Sequence, residues 1–282
     1  MTKKTIPVSV IIPCYCAADV LQRAVQSVIA QTVLPAELIL INDASPDEGK
    51  TWAIMNEIKN IYENIVPIYL IDLPTNQGVA TARNKGMENS TQPYIAFLDD
   101  DDIWHPQKLE IQYGYMAEHP DVYLTCHHSC LIRSDVEKQN FCASNMNLNQ
   151  KSITINPKKL LFLHYTNGGT PSVMIKKVPS LAFKEGKRYS EDYLLWLEYA
   201  FSFKAALLDV TLAANFKEIY GESGLSKNLW ALEKGELDTY RQIAHKGYAQ
   251  QGIVALAMCF SVVKFLRRCL VCVSRHRRKD KK

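Results

Sequence analysis

The chain has 282 residues, 47% of them hydrophobic, and a formal net charge of +4. That is enough length and apolar content for one large or two modest domains with a real core. The charge is unevenly spread. Residues 241–282 hold eleven Lys and Arg against one Asp, a net +10, so the first 240 residues carry −6. The acidic body argues against nucleic acid as a partner, and the basic stretch calls for a separate explanation.

The cysteine pattern excludes a secreted, disulfide-rich class. The eight cysteines form neither a pair of CxxC motifs nor a regular framework, so we expect free thiols in a reducing cytoplasm. The segment Cys126–Cys130, CHHSC, has metal-ligand residue types, but neighbours in a strand-like stretch point to opposite faces, which argues against a metal site. Pro13 and Asp19 cut the first apolar run too short for a signal peptide.

Strands and helices alternate through the first hundred residues. Short apolar runs predict strands at Val8–Pro13, Glu37–Ile41, Val66–Ile71 and Tyr94–Leu98. The helical patterns between them cover Asp19–Gln31, Thr51–Tyr62 and Gly78–Glu88. This repeated β-α unit predicts an α/β fold with a largely parallel sheet and right-handed crossovers.

Four consecutive aspartates, Asp99–Asp102, follow the fourth predicted strand. Their mutual repulsion is offset if a divalent cation binds there, and alternate carboxylates, Asp99 and Asp101, leave the strand on the same side. A solvated loop is the alternative, and Asp102 can instead cap a helix opened by Pro106. The buried strand before them favours a site, because ligands of open α/β sheets lie beyond the carboxyl ends of the strands.

Other polar residues occupy the same rim of the predicted sheet. Tyr15, Asp43, Asn76 and Asp99 each lie at or just after a strand end, and Arg83 lies one turn into the following helix. A ring, a carboxylate that accepts an N–H, a metal and a guanidinium together suit a nucleotide and its phosphates. No Walker A or G-x-G-x-x-G pattern is present, so neither a P-loop nor a dinucleotide fold is indicated.

The ordered segments VSVIIPCY, QSVIAQT, ELILINDASPDEG, NQGVATARNKG and YIAFLDDDDIWHPQKL resemble the motifs of family 2 glycosyltransferases with the GT-A fold. The resemblance is strong over residues 6–112 and traceable to about residue 226. It implies a Rossmann-like, mostly parallel α/β sheet with flanking helices, followed here by a C-terminal helical extension. It also implies inverting transfer of a sugar from a nucleotide donor, with UDP the expected nucleotide and Mn²⁺ or Mg²⁺ as cofactor.

The resemblance assigns roles to individual residues. Asp99 matches the first Asp of the DxD element, near the ribose, and Asp101 matches its metal-binding Asp. Asp102 either touches the sugar or caps the next helix. The positions expected to pack or hydrogen-bond the base and to meet the donor are Pro13, Tyr15, Asp43, Asn76 and Arg83.

In the second half, Ser190–Leu197 predicts a helix with Ser190 as its N-cap. Two acids in a first turn commonly complement the helix dipole. The resemblance instead makes Asp192 the catalytic base, with Glu191 orienting it or the acceptor, because inversion needs a proton acceptor on the face away from the departing nucleotide. The loop Asn167–Ser172 resembles the acceptor-side loop of the family, where glycines allow close approach of a sugar.

Two positions depart from the family pattern. Cys16 stands where the family commonly has Asn. The late loop Phe216–Ser223 lacks the His or Arg that often contacts the metal or the diphosphate, so Lys217 is left as a source of charge and the third protein ligand is undefined.

These assignments divide the chain into a nucleotide-sugar half, 1–112, an acceptor half with the base, 113–226, and a helical tail, 227–282. A sugar transferase fits best. A nucleotidyltransferase on a similar sheet would have a basic glycine-rich loop after the first strand, which is missing here, and an inactive nucleotide-binding module would not need every acid that is present.

The tail predicts membrane association without a span. The apolar stretch Gly252–Val263 is shorter than the roughly twenty residues that cross a bilayer. As a helix it would carry its cations on one face, opposite an apolar face, and RHRRKDKK adds more charge. We expect peripheral binding to the anionic inner face of the cell membrane and a lipid-linked saccharide acceptor; a helix packed on the body is the alternative.

Overall fold

The structure is a computed structural model that describes residues 3–147, 151–163, 169–217 and 228–279, the last seven of these without their side chains. The first half alternates strand and helix as predicted. Its elements are β1 (Thr5–Cys14), α1 (Leu21–Ile29), β2 (Leu34–Asn42), α2 (Lys50–Tyr62), β3 (Ile68–Asp72), α3 (Val79–Asn89) and β4 (Tyr94–Phe97).

The second half adds strands to the same sheet and ends in two long helices. Its elements are β5 (Ile103–Trp104), α4 (Lys108–Glu118), β6 (Val122–Leu131), α5 (Asp135–Ala143), β7 (Ser152–Thr154), α6 (Pro157–Leu160), β8 (Met174–Lys176), α7 (Glu191–Ser202), β9 (Lys204–Asn215), α8 (Leu229–His245) and α9 (Gln251–Lys279). A short 3₁₀ turn, Thr170–Ser172, precedes β8.

Within the described ranges, nine strands form one open sheet in the order β3-β2-β1-β4-β8-β6-β9-β5, with β7 also paired to β9. The β3-β2-β1-β4 half is entirely parallel, and β6 pairs with β9 in parallel too. The antiparallel ladders, at β8, β5 and β7, are short. Most paired residues therefore lie in parallel ladders, and the predicted α/β fold with a mostly parallel sheet is confirmed.

Both faces of the sheet are covered, which explains why its central strands are continuous apolar runs. Alternate residues of β1 enter different cores: Val10 and Ile12 pack under α1 and α2, whereas Ile11 faces the side of α3 and α7. Helix α3 lies very close to β1, because a Cβ built on Gly86 would stand 2.5 Å from Cγ2 of Ile11. That close approach fixes the position of α3 and of the residues it carries to the rim.

One predicted helix start and one predicted capping hydrogen bond are wrong. Helix α4 begins at Lys108 rather than at Pro106, with Gln107 as the preceding residue. Ser190 precedes α7 but is not a side-chain N-cap: its φ is 55° and its hydroxyl makes no capping hydrogen bond. Its carbonyl instead accepts the Thr239 hydroxyl of α8 at 3.3 Å, so a tertiary contact holds this turn.

The cysteines are as predicted, and the C-terminal tail is helical without a membrane-spanning segment in the described residues. All eight cysteines are free thiols, as expected. Helix α9 continues far beyond the apolar stretch and packs along α8. None of the helices in the described part of the chain combines the length and apolar content that a bilayer-spanning segment needs.

Candidate functional site

The parallel half of the sheet brings the predicted rim residues together. Tyr15, just after β1, is 49% exposed, and its backbone N–H donates to Asp100 at 3.1 Å. Asn76 donates from Nδ2 to the backbone carbonyl of Asp43 at 3.2 Å. Pro13 is buried at the end of β1, opposite Ile41 of β2. The strand ends thus form one continuous edge.

Asp43 performs a structural task that the sequence did not reveal. Its two carboxylate oxygens accept the backbone N–H groups of Gln77 and Gly78, each at 2.8 Å, at the start of α3. Burial raises the pKa of Asp43, and these two N–H donors oppose the rise. Each oxygen keeps a second lone pair, so capping α3 and accepting an N–H from a base are compatible.

The four aspartates after β4 do not converge on one point; each has its own donor. Arg83 donates to Asp99 at 2.8 Å, and the Tyr15 N–H binds Asp100. Asp101 and Asp102 use partners from the end of β9 and just beyond it: Lys217 Nζ lies 2.7 Å from Oδ2 of Asp101, and Asn215 Nδ2 lies 2.7 Å from Oδ2 of Asp102.

Two of these contacts answer questions left open by the sequence. Asp102 is buried against Asn215 and does not cap α4. Lys217 does supply charge to the aspartates, and Asp101 raises the pKa of its amine through their hydrogen bond. Glu218–Ser223 of the late loop lie outside the described residues.

Burial makes Asp99, Asp100 and Asp102 hard to ionise together. It raises the pKa of Asp100 to about 7 and the pKa of Asp102 well above its ordinary value, with further increases from neighbouring carboxylates. Burial also raises the pKa of Asp99, although the charge of Arg83 opposes the rise. A cation added to this cluster would favour the ionised forms.

Arg83 links the aspartates to the second half of the chain. Its guanidinium, 4% exposed, donates to Asp99 at 2.8 Å and to Glu191 of α7 at 3.0 Å. Although burial lowers the pKa of Arg83, the charges of Asp99, Glu191 and Asp192 more than offset it, so the pKa is raised. The sequence assigned Arg83 to the donor; in the structure its charge is shared between two carboxylates 92 positions apart.

Glu191 and Asp192 begin α7 in different surroundings. Burial raises the pKa of Glu191 to about 7, with the Asp192 charge adding to the rise and Arg83 opposing it. Asp192 is partly exposed; its Oδ2 accepts the Thr170 hydroxyl at 3.1 Å and its Oδ1 accepts the Tyr193 N–H at 2.7 Å. Glu191 is therefore held within the protein, and Asp192 is the acid that faces open space.

That space is a cavity of about 230 Å³. Its lining residues include Asp192, Ser190 and Gly169, together with Glu236 of α8 and Arg268 of α9. The rest of the lining is largely apolar, with Leu124, Ile155, Leu160, Val173 and Trp196 among its residues. Asn167 and Gly168 of the predicted acceptor loop lie outside the described residues.

The aspartates have the chemistry that a divalent ion needs, since Mg²⁺ and Mn²⁺ prefer oxygen ligands. Within residues 3–147, 151–163, 169–217 and 228–279, no group of three or more His, Cys, Asp or Glu side chains is arranged to hold a metal. Mg²⁺ is commonly bound by one or two carboxylates together with substrate phosphates. Asp101, with a 27% exposed side chain, fits that mode of binding.

The sequence missed several residues of this site. Arg23 of α1 donates to the Asp101 carbonyl at 2.6 Å, and its guanidinium lies 4.1 Å from the centre of the Phe216 ring. The sequence signal that could have identified Arg23 was its position near the start of the helix that follows β1. Asn215 carried no local signal, because its role depends on strands paired across the sheet. Thr170 lies in the loop that resembled the acceptor-side loop, but its contact with Asp192 was not predicted. Cys16, where the family commonly has Asn, adopts a φ of 51°, a left-handed conformation in which Asn is enriched.

Comparison with known proteins identifies the family of this chain. The family described as "Glycosyl transferase family 2" matches residues 9–174. An uncharacterized glycosyltransferase of Rickettsia typhi is 30% identical over 196 residues, which cover 68% of this chain and 58% of that protein. The putative teichuronic acid biosynthesis glycosyltransferase TuaG of Bacillus subtilis is 29% identical over 84% of this chain and 88% of that protein.

Solved structures share the fold. S. aureus TarS 1-349 in complex with UDP-GlcNAc has a TM-score of 0.67 at 16% identity, covering 93% of this chain and 72% of that chain. The mannosyltransferase PcManGT from Pyrobaculum calidifontis, in complex with GDP-Man and Mn²⁺, has a TM-score of 0.61 at 15% identity, covering 91% and 73%. The chain is a member of glycosyl transferase family 2, with the GT-A fold that its sequence resembles.

Proposed function

We propose that this glycosyltransferase moves a sugar, with inversion, from a UDP-sugar to a hydroxyl of a saccharide acceptor in cell-surface polysaccharide synthesis. The observation that carries the proposal is that Arg83 joins two carboxylates. Asp99 lies on the rim of the sheet that we assign to the donor, and Glu191 begins the helix whose next residue, Asp192, faces the cavity. TuaG is named for teichuronic acid biosynthesis, and TarS has been solved with UDP-GlcNAc, which supports both the pathway class and the donor class.

In this proposal residues 1–112 bind the donor. Tyr15 stacks on the base from its exposed position after β1, beside buried Pro13, and Asp43 accepts an N–H from the base while it caps α3. Asn76 holds the Asp43 carbonyl in place, and Asp99 meets the ribose. Arg83 holds the Asp99 carboxylate in position and does not itself bind the donor phosphates.

Asp101 would hold a Mn²⁺ or Mg²⁺ ion together with the diphosphate. When bound, the ion supplies positive charge that stabilises the departing nucleoside diphosphate. Lys217, now 2.7 Å from Asp101, and Arg23, bound to the Asp101 carbonyl, are the protein's own cations beside that diphosphate.

Residues 113–226 bind the acceptor and hold the base. The acceptor hydroxyl loses its proton to Asp192, and its oxygen bonds to the anomeric carbon as the bond to the diphosphate breaks, so the electron pair leaves with the nucleotide. Thr170 and the Tyr193 N–H fix the Asp192 carboxylate, and Glu191, bound to Arg83, fixes the turn that presents it. The carboxylate faces the cavity, so the acceptor enters there.

The cavity and the basic stretch together define the acceptor class and the location that we propose. Much of the cavity lining is apolar, which suits the lipid-proximal part of a lipid-linked saccharide. Residues 227–282 would bind the cytoplasmic enzyme peripherally to the inner face of the cell membrane, where such an acceptor is presented.

The test is a panel of UDP-, GDP- and dTDP-sugars with Mn²⁺, in which release of nucleoside diphosphate is measured with and without candidate acceptors. Asp192→Asn should leave the donor dissociation constant nearly unchanged and lower turnover on the order of a hundredfold. The matched control is Asp121→Asn, an exposed aspartate paired with Lys204, which should change neither. Pyrophosphate as the product would indicate a nucleotidyltransferase, and donor binding without turnover by the unchanged chain would indicate an inactive module.

A further inference from the structure

Helix α9 is amphipathic, but it turns two of its cations toward the body of the protein and its apolar face outward. Its cations Lys264 and Arg268 point toward the body, where their side chains are only 20% and 15% exposed. Lys264 lies 2.5 Å from Glu236 of α8, and Arg268 lies 2.8 Å from the same carboxylate and 3.4 Å from Glu233. Two cations of the predicted basic face, Lys264 and Arg268, thus lie on the inner face, where two buried acids match their charge, whereas Arg267 is exposed.

The outer face of α9 is apolar. Its exposed side chains include Leu256 at 64%, Val263 at 60%, Leu266 at 56% and Leu270 at 71%. These residues recur at helical spacing and form one stripe, which we call the outer stripe of α9, together with Phe260 at 39% and Val262 at 44%. A contiguous apolar face of this size on a protein surface marks an interaction site rather than scattered exposed residues.

The charge around the outer stripe identifies what covers it. Arg267 is exposed within the stripe, and no acidic residue occurs between Asp238 and Asp280. The sequence from Arg275 onward, RHRRKDKK, adds six cations and one acid. Two copies of this chain joined through the outer stripe would bring these like charges together, whereas an anionic lipid surface attracts them.

We propose that the outer stripe of α9 inserts into the interface of an anionic lipid bilayer, with α9 parallel to the membrane plane. Glu233 and Glu236 make this orientation possible, because they neutralise the two cations that would otherwise compete to face the lipid. Lys264 and Arg268 therefore take no part in lipid binding; Arg267 and the basic stretch after it supply the electrostatic attraction.

The proposed surface has a consequence for the acceptor. Arg268 and Glu236, which join α9 to α8, also line the cavity that Asp192 faces. Helix α9 thus contacts the membrane with its outer face, while its inner face and α8 border the acceptor cavity. This step rests on the proposed function, since it takes the cavity as the acceptor site.

The test is flotation of the full chain with vesicles of phosphatidylglycerol and phosphatidylcholine, compared with phosphatidylcholine alone, at low and high salt. The chain should float with the anionic vesicles at low salt and less at high salt. Leu266→Glu combined with Leu270→Glu should lower the bound fraction at least tenfold. Val136→Glu combined with Ile61→Glu, which alters two exposed apolar residues outside α9, is the matched control and should float like the unchanged chain.

Two results would overturn the proposal: equal flotation of the Leu266→Glu/Leu270→Glu variant and the control, or no flotation of the unchanged chain with anionic vesicles at low salt. If the chain is instead a dimer by light scattering and this variant is a monomer, a second copy covers the stripe. Thermal unfolding verifies that each variant is folded. Turnover on a soluble acceptor, measured in parallel, reports on the proposed function independently of flotation.

Discussion

Replacing Arg83 with Met should destabilise the protein in a pH-dependent way. The guanidinium is almost fully buried and holds Glu191 at 3.0 Å and Asp99 at 2.8 Å. Removing one partner of a buried ion pair typically costs about 3–5 kcal/mol, since a buried charge is left uncompensated. The Asp99 side chain is 33% exposed and regains some water, so we expect about 3 kcal/mol at pH 8.

The cost should fall on acidification. The pKa of Glu191 is about 7 in the folded protein against an ordinary value of 4.5, so the folded state binds more protons between these values. Protonation of Glu191 therefore stabilises the fold fully below about pH 4.5, and this stability is lost as the pH rises from there through about 7. Without Arg83 the pKa rises further, because the guanidinium was opposing the rise. At pH 5.5 Glu191 is neutral in both proteins, and the cost should drop to about 1.5 kcal/mol, the loss of one charge-assisted hydrogen bond.

Urea unfolding of the two proteins at pH 5.5 and pH 8 measures this difference. Glu191→Gln supplies the control, because it keeps the shape and removes the charge. If the reasoning is right, adding Glu191→Gln to Arg83→Met should recover a substantial part of the deficit at pH 8 and little at pH 5.5. A deficit that is the same at both pH values, or no coupling between the two substitutions, would refute the electrostatic account.

Three further substitutions test other parts of the structure. Asp101→Ala should lower turnover by orders of magnitude while the unfolding midpoint stays unchanged, and full activity of this variant in the presence of EDTA would remove Asp101 from the metal site. Lys108→Met should stabilise the fold by about 1 kcal/mol in urea unfolding, because the fully buried Lys108 amine has no hydrogen-bond partner among the described residues and burial holds its pKa well below the ordinary value. Gly86→Ala should destabilise by about 1–3 kcal/mol, since its Cβ would overlap Ile11; an unchanged melting temperature would show that α3 can move away from β1.

The sequence determined the parallel half of the sheet and the rim where its strands end. Apolar runs and 3.6-residue periodicity depend on neighbours in the chain, so β1 and β4 appear within a few residues of where the patterns predicted them. The placement of Tyr15 and Asp99 on one edge followed from strand direction alone. Their motifs also carried the family resemblance, which the comparisons confirmed.

The tertiary structure decided which partner each polar group takes. Arg83 pairs with Glu191 across the sheet, because α3 packs on β1 and β2 whereas α7 packs on β6 and β9. Asp102 pairs with Asn215 because β9 passes beside it. Both partners lie more than a hundred positions away, beyond the reach of any local pattern.

The same reason explains the tail. A helical wheel of α9 separates Lys264 and Arg268 from most of its apolar residues, but the wheel was wrong for Arg267, which lies within the outer stripe. The wheel also does not say which face meets the body. Glu233 and Glu236 of α8 decide that question, because burying two carboxylates without cations would cost more than exposing a stripe of leucines. The sequence thus determined that α9 is amphipathic, and only the packed acids of α8 determined that its apolar face points outward.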